Sequence, residues 1–305
     1  MSAPSILRAR GLAPKKRFGQ NFLTDPRTCE GIAAAAAGLL SPTSSGSPTS
    51  SASPTLSAPV SPVGTVLEIG AGLGALTRPL CDRAAHVIAI ERDRDLVPIL
   101  REEFAQPIAE GRLEIIEADA TQLDWPAVLA PWPKPHGIAG NLPYLLTGML
   151  LEQATHAASV IDRAVFMVQL EVAERLAALP ASESYGALSV FVQAAFDVRR
   201  IFTVRAGSFF PRPEVDSAVV QLVPHRPPRA EETKAFALAV RAAFGARRKT
   251  LRNAWKGLYG WSREELTARA EEAGISLDAR GETLGVEDFA RLAALAPASA
   301  LTTDR

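Results

Sequence analysis

Three glycines at alternate positions, Gly70, Gly72 and Gly74, separate the apolar run "TVLEI" (65–69) from the helix-like "ALTRPLCDRAA" (75–85). A strand that enters a glycine-rich turn and leaves as a helix brings backbone N–H groups and the positive end of the helix dipole close to a ligand. This order of elements favours an α/β fold with a binding crevice at the turn.

The apolar pattern then repeats the alternation of strand and helix. Further strands are predicted over 86–91, 112–119, 137–141 and 163–170, and helices over 94–104, 148–158 and 171–179. Alternating strands and helices predict a parallel, doubly wound, Rossmann-like sheet. After a helical run over 185–196, two more apolar runs, 197–204 and 217–223, predict strands that extend the sheet in antiparallel orientation.

Composition divides the chain into four parts. Residues 1–40 form an N-terminal segment that ends in a helix starting near Asp25 or Pro26. Residues 41–62 are almost all Ser, Pro, Thr and Ala, which predicts a disordered insert. The α/β domain is predicted over 63–226, and everything in 227–305 has helical periodicity, which predicts a smaller all-helical domain.

Charge and cysteine content limit the classes of function. The chain has 305 residues and a net charge of +0, so any affinity for nucleic acid must come from local basic clusters. Cys29 and Cys81 lack metal-type spacing, which indicates a reduced cytosolic protein without a metal site. No apolar run approaches the length of a membrane span. The Arg-rich, acid-free start, "MSAPSILRARGLAPKKR", keeps an organellar transit peptide open as an alternative.

Acidic residues end the second and third predicted strands. Gly70, Gly72 and Ala75 fit the dinucleotide pattern, whereas three alternate glycines are typical of enzymes that bind S-adenosylmethionine. In either case Glu91 stands where an acid would hold ribose hydroxyls, and Asp119 could accept the adenine amine of the cofactor. A tight turn followed by unrelated acids is the alternative without function.

The fourth strand ends in Asn141-Leu142-Pro143-Tyr144. Proline cannot donate to a sheet and keeps the preceding residue extended, so the carbonyl of Leu142 stays outside helical hydrogen bonding. If the cofactor is S-adenosylmethionine, the Asn141 amide oxygen and the Leu142 carbonyl could accept the two N–H groups of an adenine amine. Tyr144 would stack on the base. The alternative is a capped strand-to-helix turn.

Seven blocks of sequence occur in the order that a known family shows. They are "KKRFGQNFL" (15–23), "LEIGAGLGALT" (67–77), "IERDRDL" (90–96), "EADA" (117–120), "GNLPY" (140–144), "FFPRPEVDSAVVQL" (209–222) and "FGARRKTLRN" (244–253). With these blocks the sequence resembles the ribosomal RNA adenine dimethyltransferases over nearly the whole chain except 41–62. The last block resembles the branch that methylates two adjacent adenines near the 3′ end of small-subunit RNA.

The resemblance implies a cofactor, partners and site residues. It implies S-adenosylmethionine as methyl donor, the small-subunit RNA and its assembling particle as partners, and a cytoplasmic monomer that serves ribosome biogenesis. The cofactor residues it implies are Asn21, Leu23, Gly70, Gly72, Glu91, Asp119 and Asn141, and the catalytic residues are Asn141, Leu142, Pro143, Tyr144 and Phe209. By this resemblance Phe209 would face the target base from the side opposite Tyr144, whereas the sequence alone favours a buried loop anchor before Pro211.

One position departs from the family pattern. Leu145 stands where the family usually has Asn, while Thr147 two residues later is retained. If that Asn fixes the turn in the family, the turn here must be held by another group.

Basic clusters are the predicted contacts to RNA phosphates. The residues assigned to RNA binding are Lys15, Lys16, Arg17, Arg247, Arg248, Lys249 and Arg252, with Arg199, Arg200, Arg205 and Lys256 as further candidates. A solvated charged face is the alternative for any one cluster. Rival functions are a nicotinamide oxidoreductase, a non-catalytic nucleic-acid-binding assembly factor on the same fold, and a DNA adenine methyltransferase.

Overall fold

The computed structural model describes residues 2–38, 64–246 and 248–298. The predicted insert (41–62) and Arg247 therefore lie outside the described residues, as does the side chain of Lys16. The strands are β1 (Phe22–Leu23), β2 (Thr65–Ile69), β3 (His86–Glu91), β4 (Leu113–Glu117), β5 (His136–Asn141), β6 (Arg163–Gln169), β7 (Phe196–Val204), β8 (Phe209–Phe210) and β9 (Ser217–Pro224).

The helices alternate with the strands up to β6 and follow one another after β9. They are α1 (Ala3–Ala9), α2 (Pro26–Ala36), α3 (Thr77–Cys81), α4 (Val97–Glu103), α5 (Ala105–Ala109), α6 (Trp125–Leu129), α7 (Thr147–Ala157), α8 (Leu170–Leu176), α9 (Ala187–Ala195), α10 (Lys234–Phe244), α11 (Leu251–Ala254), α12 (Arg263–Glu272) and α13 (Val286–Ala294).

Seven of the described strands form one sheet in the order β4-β3-β2-β5-β6-β9-β7. The strands from β4 to β6 are parallel, and β9 runs antiparallel to β6. This confirms the predicted α/β sheet, and the antiparallel extension holds for β9. All five residues of β2 are buried, as expected of a central strand with parallel neighbours on both sides.

The register brings three strand ends to one edge of the sheet. Ile69, the last residue of β2, lies opposite Ile90 of β3 and Gly140 of β5. The residues that follow these positions therefore meet at the carboxyl edge. The order of the strands also reverses direction between β2 and β5, which is where open α/β sheets bind their ligands.

Several short elements have no clear pattern in the sequence. β1 and β8 are two-residue strands that pair antiparallel, with Leu23 opposite Phe209. The predicted helix over 75–85 is shorter, because α3 covers only Thr77–Cys81. Pro79 fits within its first turn, where a backbone N–H would have no intrahelical partner.

The chain forms two compact units. The first comprises residues 1–173 and 199–223, and the second comprises residues 174–198 and 224–305. The sequence prediction assigned 174–198 to the α/β domain, but the second unit includes that segment. The reason is visible in α9, which packs against α10 and α13.

The second unit has its own hydrophobic core. Trp255, Phe236 and Phe289 are fully buried in it, and the indole N–H of Trp255 donates to the carbonyl of Ala239 at 3.0 Å. The N-terminus of α12 carries a capping box, in which Ser262 and Glu265 bond each other's backbone N–H groups. Across both units, no described helix combines the length and apolar character that a membrane crossing requires.

Candidate active site

A cleft of about 650 Å³ opens within the first unit at the carboxyl edge of the sheet. Its volume lies in the range usual for cofactor sites. The cleft brings together every predicted cofactor residue and most of the predicted catalytic ones. The predicted residues that line it are Asn21, Leu23, Gly70, Gly72, Glu91, Asp119, Asn141, Leu142, Pro143 and Tyr144.

The glycine turn requires glycine at its three alternate positions. Gly70, Gly72 and Gly74 have φ angles of +75°, +60° and +81°. A Cβ on Gly74 would lie 2.3 Å from Cε2 of Phe104, closer than a real contact permits. The left-handed backbone at these positions strains any residue other than glycine, and Gly74 also leaves room for the ring of Phe104.

Glu91 receives two backbone hydrogen bonds at the end of β3. Its Oε2 accepts from the N–H of Gly72 at 2.8 Å, and its Oε1 accepts from the N–H of Asp93 at 2.7 Å. Burial raises the pKa of Glu91, and these backbone donors oppose that rise. A carboxylate has about four acceptor positions, so Glu91 can still accept from ribose hydroxyls.

Glu68 is an acid in the wall of the cleft that the sequence did not single out as a site residue. It is 1% exposed, and neither carboxylate oxygen has a hydrogen-bond partner in the described part of the chain. Burial raises the pKa of Glu68 to about 8. The nearby hydroxyl of Thr77 opposes that rise without cancelling it, so burial favours the neutral form of the acid.

Asp119 caps a 3₁₀ turn, with its Oδ1 accepting from the N–H and hydroxyl of Thr121 at 3.0 and 2.8 Å. Its Oδ2 lies 3.3 Å from the guanidinium of Arg92, which stacks on the ring of Phe18 at 4.7 Å. Arg92 and Phe18 both line the cleft; each lies in one of the quoted sequence blocks, although neither was assigned to the site.

Asn141 is held by the backbone of the N-terminal segment. Its Nδ2 donates to the carbonyl of Asn21 at 2.8 Å. The N–H of Leu142 donates to Met167 on β6 at 3.0 Å, and no described donor bonds the Leu142 carbonyl. The site therefore presents two acceptors at the strand end, the Asn141 amide oxygen and the Leu142 carbonyl.

The turn after Asn141 is held by the carbonyl of Pro143. It accepts from the N–H of Leu146 at 2.9 Å and from the hydroxyl of Thr147 at 3.1 Å. Leu145, which replaces the usual Asn, is 74% exposed. The retained Thr147 thus fixes the turn without a hydrogen-bonding side chain at position 145.

Tyr144 is half-buried, and its hydroxyl lies 2.8 Å from the hydroxyl of Ser217 on β9. Burial raises the pKa of Tyr144, so the ring is a neutral phenol at physiological pH. Ser217 is fully buried, and the sequence reasoning missed its role because it lies 73 residues from Tyr144.

Phe209 and Lys15 differ from the sequence prediction. Phe209 is 5% exposed in the hydrophobic core and does not line the cleft, because the β1–β8 pairing sets it beside Leu23. The ammonium of Lys15 contacts the carboxylates of Asp93 and Asp95, so its charge is already paired. The roles assigned to these two side chains therefore stay predictions.

Other basic residues that were assigned to RNA binding differ in exposure and pairing. Arg248, Lys249 and Lys256 are exposed in the second unit. Arg252 pairs with Asp278, its two nitrogens lying 3.2 and 3.0 Å from Oδ1. Arg17 is exposed, and its guanidinium lies 4.8 Å from the Phe18 ring centroid.

Comparison with known proteins decides the family. The model of the family "Ribosomal RNA adenine dimethylase" matches residues 11–296. The chain belongs to the ribosomal RNA adenine dimethylase family. Like the other dimethylases it takes its methyl groups from S-adenosylmethionine, and the nicotinamide alternative for the glycine turn is thereby excluded.

Matches to named relatives extend over nearly the full length of both chains. "Ribosomal RNA small subunit methyltransferase A" of Syntrophotalea carbinolica is 40% identical over 284 residues, covering 92% of this chain and 96% of the relative. The protein of the same name from Magnetococcus marinus is 38% identical, covering 94% of each chain. The resemblance found in the sequence blocks is confirmed.

Two solved structures share the fold. A dimethyladenosine transferase from Plasmodium falciparum has a TM-score of 0.68 at 23% identity, covering 89% of this chain and 95% of that one. The 23S rRNA methyltransferase ErmE has a TM-score of 0.60 at 26% identity, covering 92% and 99%. Both similarities extend over most of the chain, including the second unit.

The cleft fits the donor that the family requires. S-adenosylmethionine carries a ribose, an adenine and a positive charge, and the cleft offers Glu91 and Asp119 as acceptors beside a close-approach backbone turn. The buried carboxyl of Glu68 lies in the same wall.

Proposed function

We propose that this dimethylase transfers methyl groups to the exocyclic amines of two adjacent adenines near the 3′ end of small-subunit ribosomal RNA. The observation that carries the proposal is the orientation of Asn141, whose amide nitrogen is occupied by the Asn21 carbonyl. The small-subunit assignment is supported by the relatives named above. It is also supported by the block over 244–253.

The acceptors at the strand end address the weakness of an adenine amine as a nucleophile. Its lone pair is delocalised into the ring, so the nitrogen is planar and weakly nucleophilic. The Asn141 amide oxygen and the Leu142 carbonyl could each accept one of its N–H groups. The nitrogen would then be drawn toward tetrahedral geometry, with its lone pair directed at the methyl group of the donor.

When bound, S-adenosylmethionine supplies an electrophilic methyl group on a sulfonium sulfur. Transfer to the lone pair of the amine would form the new N–C bond as the methyl–sulfur bond breaks, which would leave the sulfur as a neutral thioether. The alkylated nitrogen would then be positively charged and acidic, and it would release a proton to water. The chain therefore needs no strong base at this position. The protein contributes by holding the amine in one orientation relative to the methyl group.

Tyr144 would hold the flipped base by stacking. The ring is fixed at its far end by the bond between its hydroxyl and Ser217. A base that leaves a duplex must regain stacking in the enzyme, and a fixed aromatic ring provides it at about 1–3 kcal/mol per base.

RNA binding is assigned to exposed basic residues. In the second unit these are Arg248, Lys249 and Lys256, and in the first unit Arg17. Because phosphate contacts supply most of the affinity for RNA, a few such residues can bind it despite a net charge of +0. The partner on this proposal is the assembling small ribosomal subunit, and the protein acts as a cytoplasmic monomer.

Mass spectrometry of ribosomal RNA tests the proposal. Unmethylated small-subunit particles are incubated with the protein and the cofactor, and the RNA is digested and mapped. Two dimethylated adenosines in one 3′-terminal fragment are expected. Methylation of large-subunit RNA or of DNA instead would overturn the substrate assignment.

The variant Asn141→Ala tests the site. Losing an interaction that is made mainly in the transition state lowers turnover more than ground-state binding. We expect a large loss of kcat with cofactor affinity nearly retained in calorimetry. Near-normal dimethylation by this variant would remove Asn141 from the catalytic role.

A further inference from the structure

The segment of residues 15–21, here called the strap, is bonded at one end to the catalytic strand end. The carbonyl of Asn21 accepts from Nδ2 of Asn141 at 2.8 Å. A backbone carbonyl can only accept, so it selects the amide nitrogen and directs the amide oxygen of Asn141 away from the strap. Without this contact the amide could present either atom to a ligand.

The other end of the strap is tied down by the side chain of Gln20. Its Oε1 accepts from the backbone N–H of Lys15 at 2.8 Å, and its Nε2 donates to Oδ2 of Asp93 at 2.7 Å. Asp93 is 2% exposed, and the ammonium of Lys15 contacts both it and Asp95. A single side chain thus closes the strap on itself and joins it to the loop after β3.

The same loop carries the ribose end of the cofactor site. The N–H of Asp93 donates to Oε1 of Glu91 at 2.7 Å, and the N–H of Gly72 donates to Oε2 of Glu91 at 2.8 Å. Hydrogen bonds therefore run without a break from the glycine turn through Glu91 and Asp93 to Gln20. The backbone of the strap then continues to the contact with Asn141.

We propose that Gln20 is a positioning residue for methyl transfer, supported by Lys15 and Asp93. It holds the strap at the position where the Asn21 carbonyl fixes the amide of Asn141. The inference rests on the proposed role of Asn141 as an acceptor for the target amine. Because Gln20 acts through the strap, its loss should displace Asn141 rather than remove a contact to RNA.

The decisive experiment is a double-mutant cycle between Gln20 and Asn141. Gln20→Ala should lower kcat at saturating RNA and cofactor by roughly 10- to 100-fold, since a displacement of ~1 Å can cost about 10²-fold. The loss of kcat should exceed the loss of cofactor affinity, which can also fall because Gln20 and Asn21 line the cofactor cleft. In the Asn141→Ala background, Gln20→Ala should lower kcat by no more than about twofold further, because the group it positions is gone.

Gln20→Glu is nearly isosteric and supplies a pH readout. It keeps an acceptor for Lys15 but loses the donor to Asp93, and a protonated glutamic acid restores that donor. Its kcat relative to wild type should therefore rise as pH falls. Gln106→Ala is the matched control, since it removes an amide–carboxylate bond of 2.9 Å on the exposed surface of α5.

The outcomes separate the positioning role of Gln20 from the proposed acceptor role of Asn141. Penalties that add fully in the cycle, or a wild-type kcat in Gln20→Ala, would overturn the positioning role while leaving Asn141 as the acceptor. A near-normal Asn141→Ala enzyme would instead refute the proposed site, and the inference with it. If Gln20→Ala fails to fold, Lys15→Met in the same cycle gives the test by removing the ammonium that ties the strap to Asp93 and Asp95.

Discussion

Replacing Glu68 by Gln should stabilise the cofactor-free protein, and increasingly so as pH rises. Glu68 is fully buried, and burial raises its pKa from 4.5 to about 8 against the opposing effect of the Thr77 hydroxyl. Below pH 4.5 the folded and unfolded states both hold the proton. Between these two values the unfolded chain loses it and the folded chain keeps it, so stability falls as pH rises.

The size of the effect follows from the pKa difference. Each pKa unit corresponds to ~1.4 kcal/mol, so a shift of this size sets an upper bound of about 5 kcal/mol on the stability lost by pH 8. Relaxation of the surroundings reduces the penalty, and we expect a few kcal/mol. Glu68→Gln keeps the shape of the side chain and removes its titration, so the penalty should disappear.

The assay is denaturant unfolding at a series of pH values from about 5 to 8, without cofactor. The quantity compared is the free energy of unfolding of Glu68→Gln minus that of wild type, in which other groups cancel. His86, whose pKa is lowered by burial, is one such group. Glu117→Gln, at an exposed carboxyl on β4, is the control.

A difference that stays constant across this pH range would refute the reasoning. It would mean that Glu68 is ionised in the folded protein and has donors that this structure does not contain. A difference that grows with pH in Glu117→Gln as well would show that the effect is not specific to the buried acid.

Three further predictions concern the cleft and the basic surface. Tyr144→Ala should lower kcat by the loss of ~1–3 kcal/mol of stacking. Tyr144→Phe should lose at most the hydrogen bond to Ser217, so its kcat should stay within several-fold of wild type. An equal loss of kcat in both variants would assign the role to the hydroxyl. Arg248→Glu with Lys249→Glu should weaken RNA binding and reduce its salt slope by about 2, with cofactor affinity intact; an unchanged slope would move the RNA contact elsewhere. Glu91→Ala should weaken cofactor binding in calorimetry by about 1.5–3 kcal/mol, and unchanged affinity in the folded variant would remove Glu91 from the ribose site.

The sheet and the strand-end residues could be predicted from sequence because each depends on local pattern. Apolar runs of strand length, the glycine turn and Pro143 all act on their immediate neighbours. Parallel pairing then collects the residues after each strand at one edge, which is why Glu91 and Asn141 were found without a structure. The two-residue strands β1 and β8 could not be predicted because they are too short to show a hydrophobic period.

Charge alone does not show that Lys15 is paired. In the sequence it belongs to a basic run, "KKR", which suggests a surface for phosphates. In the structure its partners Asp93 and Asp95 lie 78 and 80 residues away, and only the fold brings them to it. The burial of Phe209 also depends on a contact between distant parts of the chain. Its cross-strand neighbour Leu23 lies in the N-terminal segment, and that pairing buries the ring.

The interaction that best explains the geometry of the site could not be read from any motif. Asn141 receives its orientation from a backbone carbonyl 120 residues earlier in the chain. Every residue type supplies such a carbonyl, so position 21 carries no compositional sign of this contact. What the sequence does retain is the means of holding that carbonyl in place, namely a side chain with both a donor and an acceptor at position 20. The N-terminal segment therefore contributes to the site through its backbone path, and substitutions that alter this path should affect turnover even where they remove no contact to cofactor or RNA.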